Sequence, residues 1–354
     1  PELVASRSEA ARRRSSGVGY ANGSRRAGAG ENAVSCAADA LDRVLASADA
    51  SDAQETSFTP APARLDPFAA PTPEDLRREI RECRRLCPGK PFAVNFTLLP
   101  SLAPPDYGAY ARVIVEERVP VVETAGRNPG EWIAYFKKHG VTVVHKCVAI
   151  KHALTAERLG ADCISVDGFE CAGHPGEDDV GALVLLAKAA ERLTVPYIAS
   201  GGIGNGRQLA ACLALGADGV NMGTRFMATK EAPVKDGIKD ALVRGDERST
   251  TLVMKSVGNT ERVYRNAVAE EVRAIEAKTP GKIEAIRHLV SGENYRKSFQ
   301  ETGDPNTSVW SAGIVMGLID DVPSCAELIE RMVADAEAII TKRLPSVVVA
   351  TSRL

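Results

Sequence analysis

No stretch of the 354-residue chain reaches the eighteen or so consecutive apolar residues of a membrane span, so no membrane association is expected. A strong charge bias is also missing. Lys and Arg number 44 against 46 Asp and Glu, leaving a net charge of −2. Without an overall basic field, nucleic acid is not the expected partner. The 8 cysteines are scattered and form no Cys-x-x-Cys pair. Neither a zinc site nor a disulfide framework is expected; the reading is reduced thiols in a cytoplasmic protein. Cys83 and Cys87, four apart, fall on one helix face. The chain opens on Pro1, not Met, so a natural start is expected upstream, and an organelle-targeting signal could lie there.

Large apolar residues are scarce before residue 70. The stretch "RRRSSGVGYANGSRRAGAGEN" (residues 12–32) can bury little surface and reads as disordered. Residues 33–48 carry apolar side chains at helical spacing and suggest one short helix. "TPAPARLDPFAAPTP" (residues 59–73) reads as a Pro-rich linker. Three regions follow from this: a low-complexity segment (1–70), a ligand-binding barrel (71–232 with a return over 305–345), and a lid (233–304).

Past residue 73 the chain becomes regular. Thr72 is placed to cap a helix that begins at Pro73, carries Glu74 and Asp75 in its first turn and runs to about Leu86. Six β-rich runs follow: "FAVNFTLL" (92–99), "VPVVET" (119–124), "VTVVHKC" (141–147), "DCISVDG" (162–168), "VPYIASGG" (195–202) and "DGVNMGT" (218–224). They are apolar almost throughout, as strands buried on both faces should be. A helical stretch follows each, which is the rhythm of parallel βα units. Asn95, Glu123, Lys146, Asp167 and Gly201-Gly202 are read as lying at or just past strand ends. Sites assembled from several strand ends favour a (β/α)8 barrel over a doubly wound sheet, although six strands are visible where eight are needed. From Ala232 the period turns helical. Helices are expected over 235–245, 260–278 and 324–344, the last opened by Ser324 with Glu327 in a capping-box pattern.

The stretch "IASGGIGNGRQLAACLALGADGVNMGTRF" (198–226) places two Gly-rich turns after adjacent strands. Glycines let main-chain N–H groups approach a phosphate closely, and such paired turns form the phosphate site common in barrels. Tight turns alone would also use these glycines. In "VDGFECAGHPGEDD" (166–179), His174 sits between Gly173 and Pro175-Gly176. An imidazole in a site can serve as a general base; the competing reading is a surface or capping histidine. Thin neighbours leave room for a flat ligand. Asp178-Asp179 read as the start of the helix that follows. His145, inside a strand run, reads as a packed residue, whereas His139, His152 and His288 show no partner pattern. Lys146 is poised between ligand contact and a solvated charge. Asn95, in the middle of an apolar run, must be hydrogen-bonded, in a site or in a structural network.

The segments "KPFAVNFTLLPS", "VETAGRNPG", "VVHKC", "VDGFECAGHPGEDD", "RNAVAEEV" and the stretch from GGIG to MGTRF together resemble nitronate monooxygenases, formerly called 2-nitropropane dioxygenases, over about residues 70–345. The resemblance implies a TIM barrel with a helical lid and bound FMN. It places the FMN phosphate on the turns of Gly201, Gly202, Asn221, Met222, Gly223 and Thr224. It places the isoalloxazine by Asn95, Lys146 and Asp167, with Ala172 and Gly173 close by. The catalytic histidine falls on His174. It further implies oxidation of alkyl nitronates, or of nitroalkanes after proton removal, to a carbonyl compound and nitrite, with O2 reoxidising the flavin. A homodimer is compatible with that reading.

Two departures stand out. Family members open with a strand resembling "PIIQGGM" and continue with "PELAAAVSNAGGLG"; here "PELVAS" breaks into the Arg/Ser-rich segment. The first two barrel strands are therefore expected to be missing or replaced. In "WSAGIVMG", Ile314 stands where a Gln would face the flavin. Two other readings compete. One is an NAD(P)H-dependent flavin reductase of enoyl-acyl-carrier-protein or quinone reductase type. The other is an inactive remnant without its first strands.

Overall fold

The computed structural model describes residues 72–98 and 105–348. The stretches read from the sequence as a disordered segment (12–32) and a short helix (33–48), and nearly all of the one read as a Pro-rich linker (59–73), lie outside the described residues. Helix α1 (Pro73–Leu86) begins as the sequence requires: the Thr72 side chain accepts from the Asp75 N–H, and Asp75 bonds back to Thr72. Such a capping box stabilises a helix start by about 1 kcal/mol.

Six parallel strands then alternate with helices. They are β1 (Ala93–Leu98), β2 (Val121–Gly126), β3 (Thr142–Cys147), β4 (Cys163–Asp167), β5 (Tyr197–Ser200) and β6 (Gly219–Asn221). The connecting helices are α2 (Tyr107–Glu116), α3 (Gly130–Lys138), α4 (Ile150–Arg158), α5 (Ala182–Arg192) and α6 (Gly206–Ala214). The strands pair in sequence order, so each neighbour is reached by one helical crossover. The fold is an α/β TIM-barrel type, with β1 and β6 as the outer strands among the described residues.

Burial in β1 to β3 departs from the both-faces expectation. Val94, Phe96, Leu98, Val122 and Val143 are buried, while the residues between them are only half covered. Phe96 packs on Tyr107, Trp132 and Phe136 beneath the helices. The other face carries polar side chains. Only β4 and β5 are buried nearly throughout.

A short helix α7 (Thr224–Met227) and helix α8 (Asp236–Arg244) lead out of the sheet. Here the structure corrects the helical reading. Thr250–Val253 (β7) and Glu261–Tyr264 (β8) form an antiparallel pair, and the expected helix over 260–278 starts only at Ala267 (α9, Ala267–Lys278). Asn266 supplies the reason. Its side chain accepts from the Ala269 N–H at 2.8 Å and closes the helix at its N-terminus. Ahead of it, β-branched and aromatic residues favour extended chain.

Two short helices follow, α10 (Ile283–Ile286) and α11 (Gly292–Arg296). The chain then returns. Buried Trp310 stacks on Tyr264 with ring centroids 4.6 Å apart, and Ser311 bridges to Val263. The last long helix, α12 (Cys325–Ala338), carries the expected Ser324–Glu327 capping box and packs on α6. Among the described residues no helix is long and apolar enough to cross a membrane.

Candidate active site

Side chains alternate across a strand, so residues in register, or two positions apart, share a face. Asn95 is in register with Glu123, Lys146 with Ser165, Asp167 with Ser200, and Ser200 with Asn221. Glu123 pairs with Val144, two residues before Lys146. One polar row therefore climbs across six strands on a single face. Asn95 and Glu123 lie within their strands, not at the ends as the sequence suggested. The stagger between strands, which a closed barrel requires, aligns them with Lys146 and Asp167.

The row is electrostatically linked. Asn95 Nδ2 donates to Glu123 Oε2 at 2.9 Å, and Lys146 Nζ stands 3.6 Å from the same oxygen. Thr97 donates to Asn95 Oδ1. Glu123, followed by Asp167, holds the Lys146 ammonium firmly protonated against the opposing effect of burial. Lys146 is thus neither a solvated surface charge nor a lone cation. Burial pushes the Asp167 carboxyl up, and Lys146 and the Ser200 hydroxyl pull it back. Asp167 Oδ1 and Ser165 Oγ are buried without a hydrogen-bond partner. Buried polar atoms left unmet in this way mark a place for a polar ligand. His145 points to the other side. It is 4% exposed, with Nδ1 2.9 Å from Thr124 Oγ1, and burial lowers its pKa to about 4. It is a packed residue, as its place in the strand implied.

The Gly-rich turns are braced by the protein. Gly201 and Gly202 have φ of +86° and +77°, a region that favours glycine. A Cβ on Gly201 would stand 2.5 Å from the Cys171 Cβ, and one on Gly202 2.6 Å from the Glu170 Cβ. The loop after β4 therefore lies directly on this turn. Gln208 clamps the turn from below, receiving the Gly204 N–H at 2.8 Å and donating to the Gly202 carbonyl. Asn221 and Met222 are half-buried, and a Cβ on Gly223 would meet nothing within 4 Å. Thr224 Oγ1 accepts from the Gly313 N–H at 3.0 Å, which ties the C-terminal return to the turn. Ile314, unlike the polar residue the resemblance calls for, uses its N–H on the Glu170 carbonyl at 3.1 Å.

His174 is half-buried, and among the described residues its ring has no hydrogen-bond or ion-pair partner. Its position comes from Gly173 (φ +72°), which exchanges two main-chain hydrogen bonds with Arg262. Beside Gly173 there is room, since the nearest atom to an added Cβ is Ser311 Oγ at 4.0 Å. At Gly176 the small residue serves packing instead: a Cβ would be 2.6 Å from Val148 Cγ2. Ala172 lies under the return at Gly313. Asp178 and Asp179 do not start the next helix. Asp179 pairs with Lys255 at 3.0 Å, and the Ala182 N–H of α5 is taken by Glu170 from across the loop.

Two residues that shape this site, Gln208 and Arg262, carry no signal in the sequence, because folding alone brings the main chain of Gly202 and Gly204 to the one and of Gly173 and Phe169 to the other. Glu123, singled out in the sequence by its strand, joins them as the acid between Asn95 and Lys146.

The parallel barrel-type sheet thus presents one polar, partly unmet face beside a double glycine turn, and the comparisons with known proteins place the chain among flavoprotein oxidoreductases. The nitronate monooxygenase family model matches residues 68–335, and the chain belongs to that family. A "(3aS,4S,5R,7aS)-5-hydroxy-7a-methyl-1-oxo-octahydro-1H-indene-4-carboxyl-CoA dehydrogenase" of Rhodococcus jostii is 31% identical over 76% of this chain and 84% of its own length. FabK from Thermotoga maritima superposes with a TM-score of 0.72 at 33% identity, over 78% of this chain and 85% of its own. A nitroalkane oxidase from Streptomyces ansochromogenes gives 0.64 at 27% identity, over 75% and 86%.

Proposed function

We propose that the protein binds FMN and oxidises alkyl nitronates or nitroalkanes with O2. The observation that carries this reading is the unmet Asp167 Oδ1 beside the Lys146–Glu123–Asn95 chain. A polar heteroaromatic edge fits that row, since it can both donate and accept. The open face of Gly223 and the Gly201-Gly202 turn fit a phosphate, where no side chain fills the space over Gly223. Bound FMN supplies the electron acceptor that O2 regenerates. His174, with its ring unengaged, takes the proton from the carbon bearing the nitro group. The Gly173–Arg262 clasp fixes the main chain next to His174, and the C-terminal return is tied to the same loop through the Ile314 N–H and the Glu170 carbonyl.

A second reading is supported by the Rhodococcus relative, whose name describes chemistry on a CoA thioester. On this reading the same row and base serve a flavin-dependent dehydrogenase or reductase of acyl thioesters. One experiment separates them. The purified flavoprotein is mixed anaerobically with the nitronate of 2-nitropropane and, separately, with NADPH. Flavin bleaching by nitronate, followed by nitrite release in air, supports the first reading. Bleaching by NADPH alone overturns it in favour of the second.

A further inference from the structure

Outside the polar row, an open groove of about 640 Å³ runs between the β7–β8 hairpin and α9. Its lining is dominated by cations: Lys255, Arg262, Arg265 and Arg273 against the single carboxylate of Glu276. That carboxylate is already occupied by the Met254 and Ser256 N–H groups at 2.7 and 3.0 Å and by the Ser256 hydroxyl at 2.7 Å. At the rim, Arg265 and Arg273 share one acid, Glu270, at 3.8 and 2.9 Å.

Arg262 is the unusual member. It is 4% exposed, yet among the described residues it forms no ion pair. Its guanidinium donates to the Phe169 carbonyl at 3.0 and 3.2 Å and to Thr250 Oγ1 at 3.2 Å, and it lies over the Phe169 ring. These are neutral partners, and two of its five N–H donors are left over. The acids nearest to it are committed elsewhere, Glu170 to the start of α5 and Asp179 to Lys255. A buried cation without a counter-charge is costly, so it is well placed to take an anion.

We propose that this groove binds the diphosphate of a nucleotide-bearing ligand, with Arg262 as its inner cation and Lys255, Arg265 and Arg273 at the rim. The volume far exceeds what a free phosphate needs, and the cations are spread along it. A simple nitronate has no group for such a site, so the proposal goes beyond the nitronate reading and stands independently of it. The groove also adjoins the chemistry: the main chain of Arg262 clasps Gly173, one residue before His174. An acyl carrier such as CoA and a dinucleotide such as NADPH present the same diphosphate chemistry.

Isothermal titration calorimetry on the full-length protein as purified tests this, with CoA, NADPH and inorganic pyrophosphate as probes. The expected result is binding of one of the two nucleotides, competed by pyrophosphate and weakened by raised salt. The double substitution Lys255→Ala with Arg273→Ala is expected to weaken it roughly tenfold or more, with the melting temperature unchanged. CoA binding without NADPH binding assigns an acyl carrier, and the reverse assigns a dinucleotide. Absence of binding by both nucleotides in natively melting protein overturns the proposal. So does binding that the double substitution leaves unchanged, or binding of pyrophosphate alone.

Discussion

Gly173 and Arg262 hold each other by two main-chain hydrogen bonds, Arg262 N to Gly173 O at 2.6 Å and Gly173 N to Arg262 O at 3.1 Å. They are far apart in the chain, and this clasp joins the loop after β4 to the β7–β8 hairpin. With Gly173 at φ +72° and open space at its Cβ position, Gly173→Ala costs conformation, not packing. The expected penalty is about 1–2 kcal/mol. Melting should fall by a few degrees and turnover should drop, with flavin content kept. Unchanged turnover would show that the clasp does not position His174.

His174→Asn separates base catalysis from flavin binding. The ring has no structural partner among the described residues, so the variant should melt like the parent. Turnover of neutral nitroalkanes should fall about 10²–10⁴-fold, the range for a lost general base. Pre-formed nitronates, already deprotonated, should be affected less. Equal rates of nitroalkane turnover in both proteins would remove His174 from the mechanism.

Gly223→Val probes the proposed phosphate turn without disturbing the protein. At Gly202 any side chain would collide with Glu170, so loss of flavin there would be mixed with loss of folding. At Gly223 nothing stands within 4 Å and φ is −110°, which valine tolerates. The expected outcome is a normal melt with flavin affinity lowered tenfold or more, read by absorbance after gel filtration. A fully flavinated variant would move the phosphate elsewhere.

His145 gives a pH signature unrelated to catalysis. Its folded pKa of about 4 lies below the ordinary 6.5, because burial disfavours the charged ring. The unfolded chain therefore binds the extra proton first as pH falls through 6.5. Stability present above that pH is lost progressively down to about pH 4, by up to roughly 3 kcal/mol. His145→Gln should flatten the melting temperature over that window. An unchanged slope in the variant would assign the acid sensitivity to another group.

Much of this was legible in the sequence, and the reason is local. The cap at Thr72, the six apolar runs, the double glycine turn and the capping box at Ser324 depend on residues a few positions apart. So does the packed character of His145, which follows from its apolar run. Lys146 and Asp167 could be singled out because a charge inside such a run must be met by something.

What sequence determined by itself was thus the order of βα units, the Gly-rich turns and the residues that carry charge into the sheet. Tertiary structure alone decided which of these meet. The stagger between strands set Asn95 and Glu123 beside Lys146. Pairing of two short strands replaced the first turns of an expected helix. Folding brought Arg262 to Gly173, Glu170 to the start of α5 and Thr224 to Gly313. Apart from the Asn95–Glu123–Lys146 row, each of these contacts involves a main-chain N–H or C=O, a group every residue possesses. No residue type announces it, and only the path of the chain in space supplies the partner.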